Sequence, residues 1–206
     1  MKKMKFSTYA VLLKHQCFDA EMLERIAAWP KPSKFCGHRV PDDLNELTMG
    51  QVAEMLQLTD DTVNDVARII LDPYAVEPTS EPERTEFRRH LAKRRAWWGK
   101  SIANAMASDA VGFFNWVQRE TERIAKLFDE CAVPPTADEL RAGADKLSFG
   151  IFGTIDWYAQ RMGITSHDDV LSVPWVVVYQ CTRNDNMKVA YERRLNEIMT
   201  NKTKTK

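Results

Sequence analysis

Apolar residues recur at helical spacing along almost the whole sequence, and this periodicity most constrains the fold. Residues three and four positions apart lie on one face of an α-helix, so the pattern predicts amphipathic helices. The sequence contains only 8 glycines and no convincing alternation of apolar and polar residues of the kind that marks a β-strand. We therefore predict an all-α protein with a helical hairpin region, two long central helices and a compact C-terminal helical module.

Prolines divide the predicted helices into segments, since proline interrupts a helical pattern. Asp19 is a good N-cap for a first helix, and Asn184 or Asp185 is expected to start the last one. The predicted organisation is an N-terminal helical region with the hairpin, a Pro-rich linker, the long central helices, the C-terminal helical module and a basic tail, which span residues 1–72, 73–83, 84–133, 134–200 and 201–206.

The overall charge is balanced, with 29 basic and 29 acidic residues and a formal net charge of zero. A balanced chain has no global field that attracts nucleic acid or an anionic membrane. No apolar segment approaches the length of a membrane span, and the basic start lacks the apolar run of a secretory signal. Four widely spaced cysteines are typical of reduced thiols in a cytoplasm. These features predict a cytoplasmic protein without membrane contact.

Residues 47–70, LTMGQVAEMLQLTDDTVNDVARII, have the apolar spacing of a helix-turn-helix. A recognition helix approaches phosphates, yet this one carries Asp60, Asp61 and Asp65 against a single Arg68. The charge therefore favours a packed helical pair with an acidic face and makes nucleic acid an unfavourable partner. A helix-turn-helix DNA-binding regulator remains the alternative.

Residues 84–100, RTEFRRHLAKRRAWWGK, are strongly basic, and their spacing predicts an amphipathic helix with a basic outer side. Its candidate contacts to an acidic partner or to nucleic acid are Arg88, Arg89, Arg94, Arg95 and Trp98. The alternative is a solvated face, because charged residues are mostly exposed. A further hypothesis is that the acidic hairpin docks against this basic helix, within one chain or between chains.

The sequence offers few residues for metal binding or catalysis. The pairs His15-x-Cys17 and Cys36-x-His38 supply potential zinc ligands, but zinc sites usually separate paired ligands by two or more residues. No phosphate-binding glycine loop and no nucleophile motif are present. We therefore expect a non-enzymatic protein with no catalytic residues, no bound metal and no cofactor.

The C-terminal third carries a series of short motifs. These are Ala142-Gly143, Phe149-Gly150 followed by Phe152-Gly153-Thr154, Asp168-Asp169-Val170-Leu171, Trp175 with Val178, and Tyr191-Glu192-Arg193-Arg194. The series resembles proteins that long-tailed bacteriophages and related prophages encode just before the tail tape-measure protein. Leu47-Thr48-Met49-Gly50-Gln51 is similar to the start of the N-terminal part of such proteins. The middle of the chain, including the basic helix, has no counterpart in this resemblance.

The resemblance implies a helical tail assembly chaperone that binds the tape-measure protein in the host cytoplasm and needs no cofactor. Met, Trp and Phe side chains on a helical surface would cover the apolar stripes of a long partner helix. The residues expected to contact the partner are Phe149, Phe152, Trp157, Trp175, Tyr191, Arg193 and Arg194. For the aromatic residues the alternative is core packing, and for the two arginines it is solvation. A tail or neck component retained in the virion is the second functional hypothesis, and a homo-oligomer is compatible with either.

Overall fold

The computed structural model describes residues 3–58, 65–72 and 81–204. Helices dominate these residues, so the predicted all-α class is confirmed. The helices are α1 (Phe6–Lys14), α2 (Ala20–Ala27), α3 (Met49–Leu56), α4 (Asp65–Leu71), α5 (Glu81–Asn104), α6 (Ala107–Cys131), α7 (Ala137–Arg141), α8 (Gly150–Met162), α9 (His167–Leu171) and α10 (Trp175–Lys204), with a 3₁₀ turn at Ala144–Lys146 and two short strands, β1 (Lys34–Phe35) and β2 (His38–Arg39).

The N-terminal helix α1 lies against both long helices, at the turn that joins α5 to α6. Phe6 N donates to Ala105 O at 2.9 Å, and this tertiary bond replaces an N-cap, since α1 has no side-chain cap. Asp19, the predicted start of the first helix, instead caps α2 by accepting a hydrogen bond from Met22 N at 2.8 Å. A small second hydrophobic cluster holds α1 and α2 on α6 through Tyr9, Ile26, Trp29 and Ala107.

The stretch between α2 and α3 contains the antiparallel strands β1 and β2. Cys36 and Gly37 adopt left-handed φ values of 49° and 86° in the turn between them. Phe35 is buried, and its ring stacks on Phe113 of α6 with 4.6 Å between centroids. The sequence does not predict these strands because two residues are too few to show alternation.

The N-terminal and C-terminal regions are joined just before α3 and α10. Trp175 N donates to Leu47 O at 3.1 Å, and Met49 N donates to Val173 O at 2.7 Å. The indole Nε1 of Trp175 donates to Leu44 O at 2.7 Å. The main hydrophobic cluster consequently takes residues from all three predicted helical segments.

The basic helix α5 packs against the second helix of the acidic hairpin. Asp65 forms an ion pair with Arg95 at 2.8 Å, and Asp72 forms one with Arg94. Trp98 Nε1 donates to Asp72 at 3.3 Å. These contacts place α4, the second helix of the predicted hairpin, against the basic helix within one chain. The turn between α3 and α4, with Asp60 and Asp61, lies outside the described residues, as do residues 73–80 of the predicted linker.

The last helix, α10, begins at Trp175, and the prediction of a start at Asn184 or Asp185 is wrong. Arg161 of α8 donates to Asp185 at 2.9 Å, so this residue is held in the middle of a helix by a tertiary ion pair. The 30 residues of α10 span about 45 Å at the helical rise per residue. Its first half is part of the main cluster, whereas its second half extends past it.

Candidate protein-binding surface

The aromatic residues predicted to contact a partner do not form one continuous groove. Phe149 is 70% exposed, and Phe152 and Tyr191 are also exposed. Trp157 is partly buried against the main cluster and lies under the guanidinium of Arg161, 5.9 Å from its ring centroid. Trp175 is 1% exposed, so this residue packs in the core and a partner cannot reach it in the folded chain.

The first exposed set lies at the start of α8, and we call it the α8 start cluster. The side chains of Leu147, Phe149 and Phe152 are all exposed in it. Phe149 lies directly against Gly153 on the next turn of α8, where an added Cβ would be 2.5 Å from the Phe149 Cβ. Phe152 meets the ring of His167 edge-on, with 5.2 Å between centroids. The cluster thus presents three exposed apolar side chains, of which Phe152 contacts α9 through His167.

The second exposed set lies on the second half of α10, and we call it the α10 stripe. Met187, Tyr191, Leu195 and Ile198 are 59%, 58%, 42% and 52% exposed. Their spacing of four, four and three residues places them on one side of the helix. Of this set the sequence motifs predict only Tyr191 as a contact, although the helical spacing is a signal that also marks the other three.

The α10 stripe points away from the body of the protein. Asp185 and Arg193 face the body, since the former pairs with Arg161 of α8 and the latter with Glu139 of α7. Each of them is two residues from a stripe residue, so its side chain leaves the opposite side of the helix. The stripe is therefore not covered by α7 or α8.

The two predicted arginines of α10 have different surroundings. Arg193 donates to Pro134 O at 2.9 Å and to the Glu139 carboxylate at 2.9 Å, so it fastens α7 to α10. Hydrogen bonds from the Thr136 backbone and hydroxyl, together with Arg193, lower the pKa of Glu139. Arg194 is exposed.

A groove of about 500 Å³ adjoins the α10 stripe. One wall is α10, and the other is the chain that leaves α6. The residues that line it include Val133, Pro134, Tyr179, Arg183 and Met187. Met187 belongs to both the groove and the stripe, so the two surfaces are continuous.

The basic helix offers less to nucleic acid than its sequence indicates. Arg94 and Arg95 pair with carboxylates of the hairpin region, while Arg88 and Arg89 are exposed. Trp98 is 2% exposed, so the structure corrects its predicted contact role to core packing.

The structure also speaks against the helix-turn-helix alternative, because the basic residue of the hairpin is not available to DNA. Arg68, the hairpin's basic residue, is buried and bonded to Glu54. Near the hairpin an open cavity of about 750 Å³ is lined by Asp42, Asp43 and Glu46, whose charge repels phosphate.

The described residues contain no group of three His, Cys, Asp or Glu side chains arranged to hold a metal ion. Burial raises the pKa of the Cys36 thiol to about 11, which disfavours the thiolate that binds metals. His38 lies against the ring of Trp98, with 5.1 Å between centroids. Across the described ranges, no helix combines the length and apolarity needed to cross a membrane.

A comparison of the chain with known protein families, curated proteins and solved structures finds no match to any of them.

Proposed function

We propose that this chain is a non-enzymatic assembly protein of a long-tailed phage or prophage, which acts as a chaperone or adaptor for the tape-measure protein. The observation that carries the proposal is the exposure of large apolar side chains in the α8 start cluster and the α10 stripe. Contiguous exposed apolar surface on a soluble protein marks an interaction site. The C-terminal motifs that resemble tail assembly proteins include residues of both sets.

The surface suits a helical partner. An amphipathic helix binds by laying its apolar face into an apolar groove, with anchors three and four residues apart. A tape-measure protein is long and helical. Its apolar stripes are exposed until the tail tube polymerises around them, so another protein must cover them first. When such a segment packs on the α10 stripe, its apolar residues are covered without any chemical step, in the host cytoplasm where the tail assembles.

The test is co-expression of the full chain with the tape-measure protein encoded beside it. We expect the tape-measure protein to become soluble and to co-purify with this chain, and to aggregate when this chain is absent. Mass spectrometry of purified virions then separates the two roles, because a chaperone is missing from the particle and a tail or neck component is retained. An insoluble tape-measure protein that never co-purifies would overturn the proposal.

A further inference from the structure

The groove beside α6, whose lining also includes Glu130 and Asn186, and the α10 stripe are parts of one continuous surface. Met187 lines the groove and is also the first residue of the stripe, which ends at Ile198. Eleven residues separate these two positions, so the stripe extends the groove by about 16 Å along the helix. Val133 and Pro134 form the wall opposite Met187. A bound segment of about three helical turns would span the stripe alone, and a longer one would also reach the groove.

The charges beside the stripe are asymmetric. Arg183 and Arg194 are both exposed, and neither forms an ion pair with another residue of the described ranges. They are eleven residues apart, which is close to three full turns, so they share one edge of the stripe. On the other edge Lys188 and Glu192 pair with each other at 3.9 Å. One edge therefore carries two arginines without an ion pair in the described ranges, with Glu197 three residues beyond Arg194, so this edge is basic by one charge, and the other edge is neutral.

We infer that the groove and the α10 stripe form one docking site for an amphipathic α-helix of another protein, whose apolar face is bordered on one edge by Asp or Glu residues. Apolar anchors of that helix enter the groove beside Met187 and Pro134, while its carboxylates meet Arg183 and Arg194. The inference rests on the proposed function in one respect, that this chain acts by binding a helical protein. It adds where the helix lies and which charge pattern it carries.

A second copy of this chain is a less favourable occupant in the antiparallel arrangement. A two-fold axis between two antiparallel α10 helices brings the same edge of each helix together. Arg183 and Arg194 of both copies would then face one another. Like charges that face each other across an interface oppose association. An acidic edge on a different protein removes this repulsion.

The experiment measures the binding of two fluorescein-labelled helical peptides to the full chain by fluorescence anisotropy. Both peptides carry the same leucines at positions i, i+3, i+4 and i+7 of successive turns. They differ only along one edge, which has glutamates in the first and lysines in the second. We expect the glutamate peptide to bind at least about tenfold more tightly at low salt, with the ratio shrinking at high salt because ions screen the edge charges.

Matched variants locate the site. Arg183→Glu with Arg194→Glu is expected to invert the preference between the two peptides. Lys93→Glu with Lys100→Glu makes the same change of charge on exposed positions of α5 and is expected to leave the preference intact. Met187→Ser is expected to weaken both peptides about tenfold, whereas Val11→Ser, an exposed apolar position on α1, leaves both unchanged.

Three results overturn the inference. The first is equal affinity for the two peptides, or no binding of either at about millimolar concentration. The second is a glutamate preference that survives the reversal of Arg183 and Arg194. The third is a dimer in sedimentation equilibrium that Leu195→Ser dissociates, since the occupant of the stripe is then a second copy.

Failure of this inference and failure of the proposed function give different results. If the tape-measure protein co-purifies equally with the wild-type chain and with the Arg183→Glu, Arg194→Glu variant, the function stands and the site is wrong. If the peptides show the expected preference while the tape-measure protein never binds, the site stands and the partner is a different helical protein.

Discussion

The two halves of α10 carry similar apolar residues but lie in opposite surroundings. In the first half, Trp175 and Val178 are buried and belong to the main hydrophobic cluster. In the second half, Met187, Leu195 and Ile198 have the same helical spacing and are exposed. The spacing of apolar residues thus determines which side of a helix is apolar, whereas other segments of the chain determine whether that side is covered.

The first half is covered because two separate segments reach it. Phe128 of α6 lies 6.2 Å from Trp175 between ring centroids, and the chain before α3 accepts the indole hydrogen bond at Leu44. The second half is held on its other side by Arg193, which donates to Pro134 O and to Glu139 of α7. If the stripe serves a partner, its apolar residues contribute to binding and little to folding. The predictions below test this contrast.

The largest expected effect is on the covered half. Trp175→Ala removes a buried ring and leaves a cavity, so we expect the free energy of unfolding to fall by about 3–5 kcal/mol. Tyr191→Ala on the exposed half should change it by less than about 0.5 kcal/mol. Urea denaturation followed by far-UV circular dichroism measures both. Equal losses in the two variants would mean that the second half of α10 is part of the fold's core.

A smaller effect is expected where the chain crosses α6 closely. A Cβ on Gly112 would lie 2.1 Å from the carbonyl oxygen of Pro30, so Gly112→Ala forces the two segments apart and should destabilise the fold by about 1–3 kcal/mol. Gly99 of α5 has no atom within 4 Å of such a Cβ. Gly99→Ala should therefore stabilise the protein by about 0.5–1 kcal/mol through helix propensity. Thermal unfolding of both variants checks the opposite signs.

The two capping boxes offer the same chemistry in a covered and an uncovered helix. Thr48 caps α3, which buries four of its residues, and Thr136 caps α7, which buries none. Thr48→Ala should lower the free energy of unfolding by about 1 kcal/mol. Thr136→Ala should leave global unfolding within about 0.5 kcal/mol, because α7 can fray while the core remains folded. Equal losses in urea titrations would show that α7 unfolds together with the core.

The sequence predicts the helical class and the Asp19 cap because these depend on local residue patterns. It does not predict α1, which has no cap and depends on the Phe6 bond to Ala105. It also predicts, wrongly, that the last helix begins near Asp185, because a tertiary ion pair to Arg161 overrides the local preference for a helix start there.

The residues predicted from the sequence to contact a partner also fall into two groups, one exposed and one buried. Phe149, Phe152 and Tyr191 are exposed, as a contact role requires, but Trp98 and Trp175 are core residues of the same chemical type. Residue type and spacing are alike for both groups, so sequence reasoning cannot separate them. The exposed and the buried aromatic residues differ in whether segments distant in the chain cover them. Leu44 O, for example, accepts the hydrogen bond of the Trp175 indole.

The smallest expected effect concerns the link between α7 and the uncovered half of α10. The pKa of Glu139 is lowered from its ordinary value of about 4.5 chiefly by the Thr136 backbone hydrogen bond, then by the Thr136 hydroxyl and Arg193. A lowered folded-state pKa means that the contact contributes fully above the ordinary value and is lost as pH falls through the lowered one. The amide resonance of Thr136 should therefore shift with a midpoint below pH 4.5, which two-dimensional NMR measures. Glu139→Gln should abolish this titration, and Glu197→Gln should not affect it. A midpoint at or above the ordinary value would show that neither the Thr136 capping box nor the Arg193 contact holds the Glu139 carboxylate in solution.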